Sequence, residues 1–165
     1  MIGIRGWTMD RFTGGCHCGN IDVVFETPNP AQTLEVRACA CSFCRKHGAR
    51  AATDPAGRLR LTVGDGRHLD RYLFGQRSAE FLICNKCGVF VAAIQEEPEG
   101  LWGVLNINTL VDASAFTRPA VAVDFSAETP AQRRGRRRAR WTPAELAIGT
   151  PSQAIAGKIG DSVPA

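Results

Sequence analysis

The sequence is short of several things that would each point to a different class of protein. No apolar run in its 165 residues approaches the roughly 20 that a bilayer-spanning helix needs, so no membrane partner is expected. The opening "MIGIRGWTMDRF" lacks an apolar core followed by a small-residue cleavage site. No secretory leader is therefore expected, and the expected location is cytoplasmic. Met9 stands just ahead of "DRFTGGCHCG" and offers a natural start, so residues 1–10 are expected to be an N-terminal extension. Before about residue 142 no stretch holds the helical apolar period of about 3.6 residues over 11 or more positions, which argues against a helical bundle. Internal repeats of about 20 to 50 residues are also missing.

Basic charge is scarce outside one place. The formal net charge is +4, from 20 Lys and Arg against 16 Asp and Glu. Six of those 20 are Arg133, Arg134, Arg136, Arg137, Arg138 and Arg140, leaving 14 basic residues for the rest of the chain. A globally basic nucleic-acid-binding surface is excluded. The run "RRGRRRAR" has no interleaved aromatics, so specific nucleic-acid binding is not expected. Its plainest reading is a solvated loop before Trp141 that is able to contact an acidic partner.

What the chain does have is short β patterning. Residues 21–26, 32–38, 58–63, 69–74, 79–83, 89–94, 101–110 and 120–125 read as strands cut by glycine and proline. In "RLRLTV" the apolar residues Leu59, Leu61 and Val63 alternate onto one face. "CNKCG" lies between two of these strands and reads as a hairpin turn carrying two cysteines. A short helical turn is expected near Cys44. The string "TPAELAIG" from Thr142 has the cap, proline and acidic residue of a helix start, and a loosely ordered tail is expected beyond Gly149. At this length one domain suffices, expected to be mainly β with a short C-terminal helix or tail over 142–165.

The cysteines carry the chemistry. Seven cannot all pair as disulfides within the chain, and in a reducing compartment clustered thiols point to metal. Cys16 and Cys18 sit in a glycine-rich bend, and Cys84 and Cys87 sit in the hairpin turn. Spacings this short let two thiolates of one turn face one metal, and two such turns make a closed four-cysteine zinc site. Cys39, Cys41 and Cys44 remain, one ligand short of a closed set. Spacing alone also allows triad cysteines to close a site with Cys84 and Cys87. It equally allows His17 or His47 to serve as a fourth ligand.

The segments "FTGGCHCGNIDVVFE", "CACSFCRKHGA", "EFLICNKCGVFV" and "VLNINTLVD", in that order, resemble the glutathione-dependent formaldehyde-activating enzyme family, which includes centromere protein V-like members. The resemblance covers roughly residues 11–125 and uses all seven cysteines. It implies a zinc-braced β-tent of short antiparallel strands over about 11–141. It further implies two zinc ions, a structural one on Cys16, Cys18, Cys84 and Cys87 and a catalytic one on Cys39, Cys41 and Cys44. The implied activity is that of a carbon–sulfur lyase joining glutathione and formaldehyde, or a related aldehyde, into a hydroxymethyl thioether. Ala40 stands where many members carry histidine, so tuning of the site is expected to differ.

An open three-thiolate zinc accepts a thiol sulfur as its fourth ligand and favours the thiolate form. Its formal charge of −1 calls for nearby cations. Arg45 and Lys46 follow Cys44 directly and are the candidates, either for that role or for a glutathione carboxylate. Asn106 and Asn108 are expected on one strand face, with Asn106 the better match to the family's asparagine and a candidate substrate contact. Phe43 and Phe74 are candidates for a pocket wall or for ordinary core. The competing function is a non-enzymatic zinc-braced binding module that meets an acidic partner through the Arg-rich segment.

Overall fold

The computed structural model describes residues 9–149. Eleven strands join in one sheet, so the mainly β expectation holds. The strands β1 (Asp10–Gly15) and β2 (Ile21–Thr27) form a hairpin around the Cys16–Cys18 bend. Strict alternation makes β2 a strand with one wet face: Ile21, Val23 and Phe25 are buried while Asp22 is exposed. The next elements are β3 (Arg37–Cys39), the one-turn helix α1 (Ser42–Lys46), β4 (Ala51–Ala52) and β5 (Arg58–Val63). They are followed by β6 (Leu69–Tyr72), β7 (Glu80–Cys84), β8 (Phe90–Glu97) and β9 (Gly100–Asn106). The chain then runs through β10 (Val121–Val123), α2 (Pro130–Arg140) and β11 (Thr142–Ile148).

The ladder order is β1-β2-β5-β11-β9-β4-β3-β10, with β6, β7 and β8 branching off β9. The hairpin expected around "CNKCG" is the β7–β8 pair. Two pairings are parallel, β11 with β5 and β10 with β3, rather than antiparallel. Both join strands far apart in sequence, and a long return connection leaves strand direction free.

Four local expectations are corrected. Residues 142–148 are not a helix. Thr142 is buried, Ala144 and Leu146 pack on the core, and the segment fills the gap between β5 and β9. The helix starts instead at the earlier copy of the same signal: Thr129 caps α2, Pro130 opens it, and the Gln132 side chain accepts from the Thr129 N–H at 2.9 Å. The arginine run is therefore α2, not a loop. Within residues 32–38 only Arg37 and Ala38 are strand; Pro30 leads into a short 3-10 turn, Ala31–Thr33, that buries Ala31. Residues 101–110 stop being strand at Asn106, whose side chain accepts from the Asn108 N–H at 3.4 Å and starts another 3-10 turn. Asn106 and Asn108 hence do not share a strand face.

The expectations for residues 1–8 and for the tail beyond 149 lie outside the described residues. Asp10, assigned to the extension, is already in β1.

The main core is built on Phe25, Leu59, Leu61, Leu82, Leu105 and Phe116, all essentially inaccessible. A second, smaller core of Ala49, Ala79, Phe90, Ala93 and Trp141 has Phe43, Cys44 and Phe81 against it. That second core is the bed of the cysteine triad. Among the described residues no helix is long and apolar enough to cross a membrane.

Candidate metal centres and their cavities

The fold brings Cys16, Cys18, Cys84 and Cys87 into one cluster, with every sulfur within 4.8 Å of the others. Cys16 and Cys18 sulfurs stand 3.7 Å apart, and Cys18 and Cys84 sulfurs 3.5 Å. Four thiolates around zinc at about 2.3 Å would lie about 3.8 Å from one another, so the donor set fits the ion in number, chemistry and spread. Both contributing turns end on a left-handed glycine, Gly19 at φ 77° and Gly88 at φ 79°, a conformation that glycine adopts without strain. The Gly88 N–H donates to the Cys84 carbonyl at 2.7 Å, and the Ile21 N–H donates to the Cys16 sulfur at 3.2 Å. Burial pushes the Cys16 thiol up and the Cys84 thiol up to about 12. Cys87 is also raised by burial, but the Cys18 and Val89 N–H groups outweigh it and bring it down to about 6. A dication removes the proton competition within such a cluster.

Cys39, Cys41 and Cys44 form a second cluster, also within 4.8 Å of one another. Cys39 ends β3, held in place where the Ala40 N–H donates to the Val123 carbonyl at 2.8 Å. Cys41 caps α1, its sulfur accepting from the Cys44 N–H at 3.4 Å. Hydrogen bonding from the Cys44 thiol holds Cys39 down to about 5 against its burial. That same bond, with burial, pushes Cys44 well above the ordinary thiol range. Three sulfurs with these contacts fit a zinc site with one position free. The structure thus groups the cysteines four and three, rather than joining triad members to Cys84 and Cys87. Neither histidine belongs to a cluster: His17 is exposed, and the His47 ring packs on Phe43 at 4.4 Å.

Two cavities meet at the triad. An inner chamber of about 100 Å³ is walled by all three cysteines, Phe81, Phe90 and Trp141, and also touches Arg37 and Arg137. An outer groove of about 370 Å³ is lined by Cys39, Cys41, Phe74 and three arginines of α2, Arg133, Arg136 and Arg137. Those arginines are held rigidly. Arg136 grips Glu128 with two bonds, at 2.6 and 2.9 Å, and lies 3.6 Å over the Phe125 ring. Arg133 donates to the Phe125 carbonyl. Arg137 donates to Ser78 and Gln95 and sits over Trp141. Burial, then repulsion from Arg136 and Arg133, brings its guanidinium down to about 10.

The other sequence-derived candidates divide between the cavities and the surface. Arg45 and Lys46 are exposed on α1 and line neither cavity. Asn106 lines the inner chamber, but its amide donates to the Phe90 carbonyl at 3.0 Å. Asn108 donates to the Gly48 carbonyl at 2.9 Å. Phe74 lines the outer groove, and Phe43, on α1, stacks on Tyr72 and Phe74. Ala40 is exposed at the groove. The reading of the sequence missed Arg37, Arg133, Arg136 and Arg137 as residues of these cavities. The signal for the last three was the capping sequence "TPAQ" ahead of the arginine run, which makes that run a helix with a fixed inward side.

A crystal structure of a Rhodobacter sphaeroides protein is similar, with 30% identity and a TM-score of 0.52, over 67% of this chain and 99% of that one. The family profile described as glutathione-dependent formaldehyde-activating enzyme matches residues 11–124. That span takes in both cysteine clusters and the strands that carry them, and the chain belongs to the glutathione-dependent formaldehyde-activating enzyme family.

Proposed function

We propose that the protein is a zinc-dependent carbon–sulfur lyase that makes and breaks the adduct between a thiol, glutathione first, and formaldehyde or a related small aldehyde. Cys39, Cys41 and Cys44 would hold the catalytic zinc, and Cys16, Cys18, Cys84 and Cys87 a structural one. The observation that carries this reading is a three-sulfur cluster at the junction of a cationic groove and an apolar chamber. Zinc bound there supplies a thiolate from an incoming thiol at neutral pH.

The chain's own residues do the rest. The groove arginines, Arg133 and Arg136, meet the carboxylates of a peptide thiol, a task that chain proximity to Cys44 had assigned to Arg45 and Lys46. Arg136 is fixed by Glu128 and Phe125 before any ligand arrives, so little freedom is lost on binding. Phe81, Phe90 and Trp141 keep the chamber apolar and exclude bulk water from the reacting carbon. Asn106 holds the end of β9 against Phe90 and so fixes the chamber wall. In the forward direction the thiol loses its proton to water, sulfur adds to the carbonyl carbon, the π pair moves to oxygen, and a proton from water completes the hydroxyl. The reverse returns the pair to the carbonyl and frees the thiol. Holding both partners in one geometry supplies most of the rate.

A binding module working through the Arg-rich segment is less well supported. Of the outward arginines, Arg134 pairs with Glu97 and Arg138 with Glu99. The others, Arg133, Arg136 and Arg137, face the groove beside the triad rather than an open surface. The test is exchange spectroscopy with labelled formaldehyde and glutathione. The zinc-loaded protein should speed exchange between free aldehyde and adduct, and Cys44→Ala should return it to the uncatalysed rate. Exchange no faster than in buffer, with zinc fully bound, would refute the lyase.

A further inference from the structure

We propose that the inner chamber is a carboxylate site and that the aldehyde it prefers is a small oxo acid, whose aldehyde carbon bears the carboxylate. The choice of aldehyde rests on the lyase reading above; the anion site itself does not.

The chamber is apolar except for its sulfurs, Asn106 and three guanidiniums, Arg37, Arg137 and Arg136, the last of which is already paired with Glu128. Arg37 and Arg137 are more than nine-tenths buried, at 6% and 8% exposure. Arg37 donates to Thr53 at 2.8 Å, and its nearest carboxylate, Glu35, is 3.8 Å away with a side chain 53% exposed. Arg137 bonds through Nη1 to neutral partners only, Ser78 and Gln95, and its buried Nε has no partner. Among the described residues no carboxylate pairs with it.

Buried charges without a counter-charge are costly, and proteins pair them or neutralise them. Here Arg137, with no carboxylate partner, and Arg37, whose one carboxylate is largely exposed, converge on one small apolar space. The triad sulfurs on the same wall offset part of it, but thiolates committed to a metal are poor partners for a guanidinium fork. A carboxylate matches that fork in shape and charge. Size narrows the guest further. An apolar cavity of about 150 Å³ holds benzene, so about 100 Å³ takes roughly four or five heavy atoms, the size of a two-carbon oxo acid. Glutathione is far too large, which leaves its carboxylates to the outer groove. Formaldehyde alone would leave most of the chamber unfilled.

The chemistry is unchanged and balanced. The thiol gives its proton to water as its sulfur bonds to the aldehyde carbon, the carbonyl π pair moves to oxygen, water returns a proton to make the hydroxyl, and nothing is oxidised. The carboxylate stays intact in the chamber.

The experiment compares glyoxylate with glycolaldehyde, its neutral counterpart of similar size, using glutathione and the zinc-loaded protein. Formate against formamide is read separately by thermal shift and tryptophan fluorescence, since Trp141 lines the chamber. We expect kcat/KM for glyoxylate to exceed that for glycolaldehyde by at least about tenfold. Formate should stabilise the protein and formamide should not. Arg137→Gln should bring the glyoxylate preference close to parity. Should that variant fold poorly, Ala51→Val narrows the chamber with both arginines kept, and it should weaken formate binding and the preference together. Formaldehyde turnover with no preference for glyoxylate overturns the chamber assignment and leaves the lyase standing. Formate binding with no turnover of any aldehyde overturns the aldehyde assignment and the lyase, and leaves the anion site. Preference and formate binding both untouched by Ala51→Val would place the anion elsewhere and sink the proposal.

Discussion

Cys16, Cys18, Cys84 and Cys87 come from two glycine turns and close around one another. Cys39, Cys41 and Cys44 come from a strand end and a single helical turn, and leave one side open to two cavities. The ligand type is the same, but the surroundings are not. The first cluster ties the β1–β2 hairpin to the β7–β8 hairpin, two parts of the sheet that share no ladder. The second lies beside an apolar bed on one side and guanidinium groups on the other. Closure suits a brace, while an open side with fixed charges suits chemistry.

Mutating one ligand in each cluster should separate the two roles. Cys84→Ser opens the closed cluster, and a structural metal contributes directly to folding. We expect a loss of at least about 3 kcal/mol, seen as a fall in Tm on the order of 10 °C. An unchanged melting curve would remove the brace. Cys41→Ala should leave Tm within a few degrees yet lower turnover by about a thousandfold, equivalent to about 4 kcal/mol of transition-state stabilisation. Equal losses of stability in the two variants would erase the contrast.

Smaller changes probe the groove. Arg136→Gln removes a cation held at 2.6 Å from Glu128. It should raise KM for glutathione by about tenfold with a lesser effect on kcat, as for loss of a charged hydrogen bond. A fall in kcat at constant KM would move Arg136 from binding into the chemistry. Arg138→Ala, on the same helix, loses only an exposed pair with Glu99 at 3.8 Å. Stability should shift by no more than about 0.5 kcal/mol, and glutathione affinity should not change.

The sequence showed some of this plainly and hid the rest for physical reasons. The grouping of cysteines was legible because short spacings confine paired thiolates to one turn. The strand in "RLRLTV" was legible because alternation is a local property. The string "TPA" occurs at 129–131 and again at 142–144, and only the first opens a helix. Local propensity does not separate the copies, since Glu145, Leu146 and Ala147 favour helix as well as the arginines do; the second copy is strand because the sheet needs a segment between β5 and β9. No local pattern reveals that vacancy in the sheet. The arginine run looked like solvated charge because composition does not say which side of a helix faces inward. Arg37 was invisible for a similar reason. It is one arginine in a three-residue strand, and only the fold sets it on the chamber wall with Cys39 and Arg137.

The central claim, one closed site and one open site awaiting a thiol, is tested most directly by zinc content with a glutathione titration on wild type and Cys41→Ala. Wild type should carry two zinc ions per chain and bind glutathione saturably, and the variant should carry one zinc and bind no glutathione. One zinc in both proteins, with glutathione bound by neither, would contradict it.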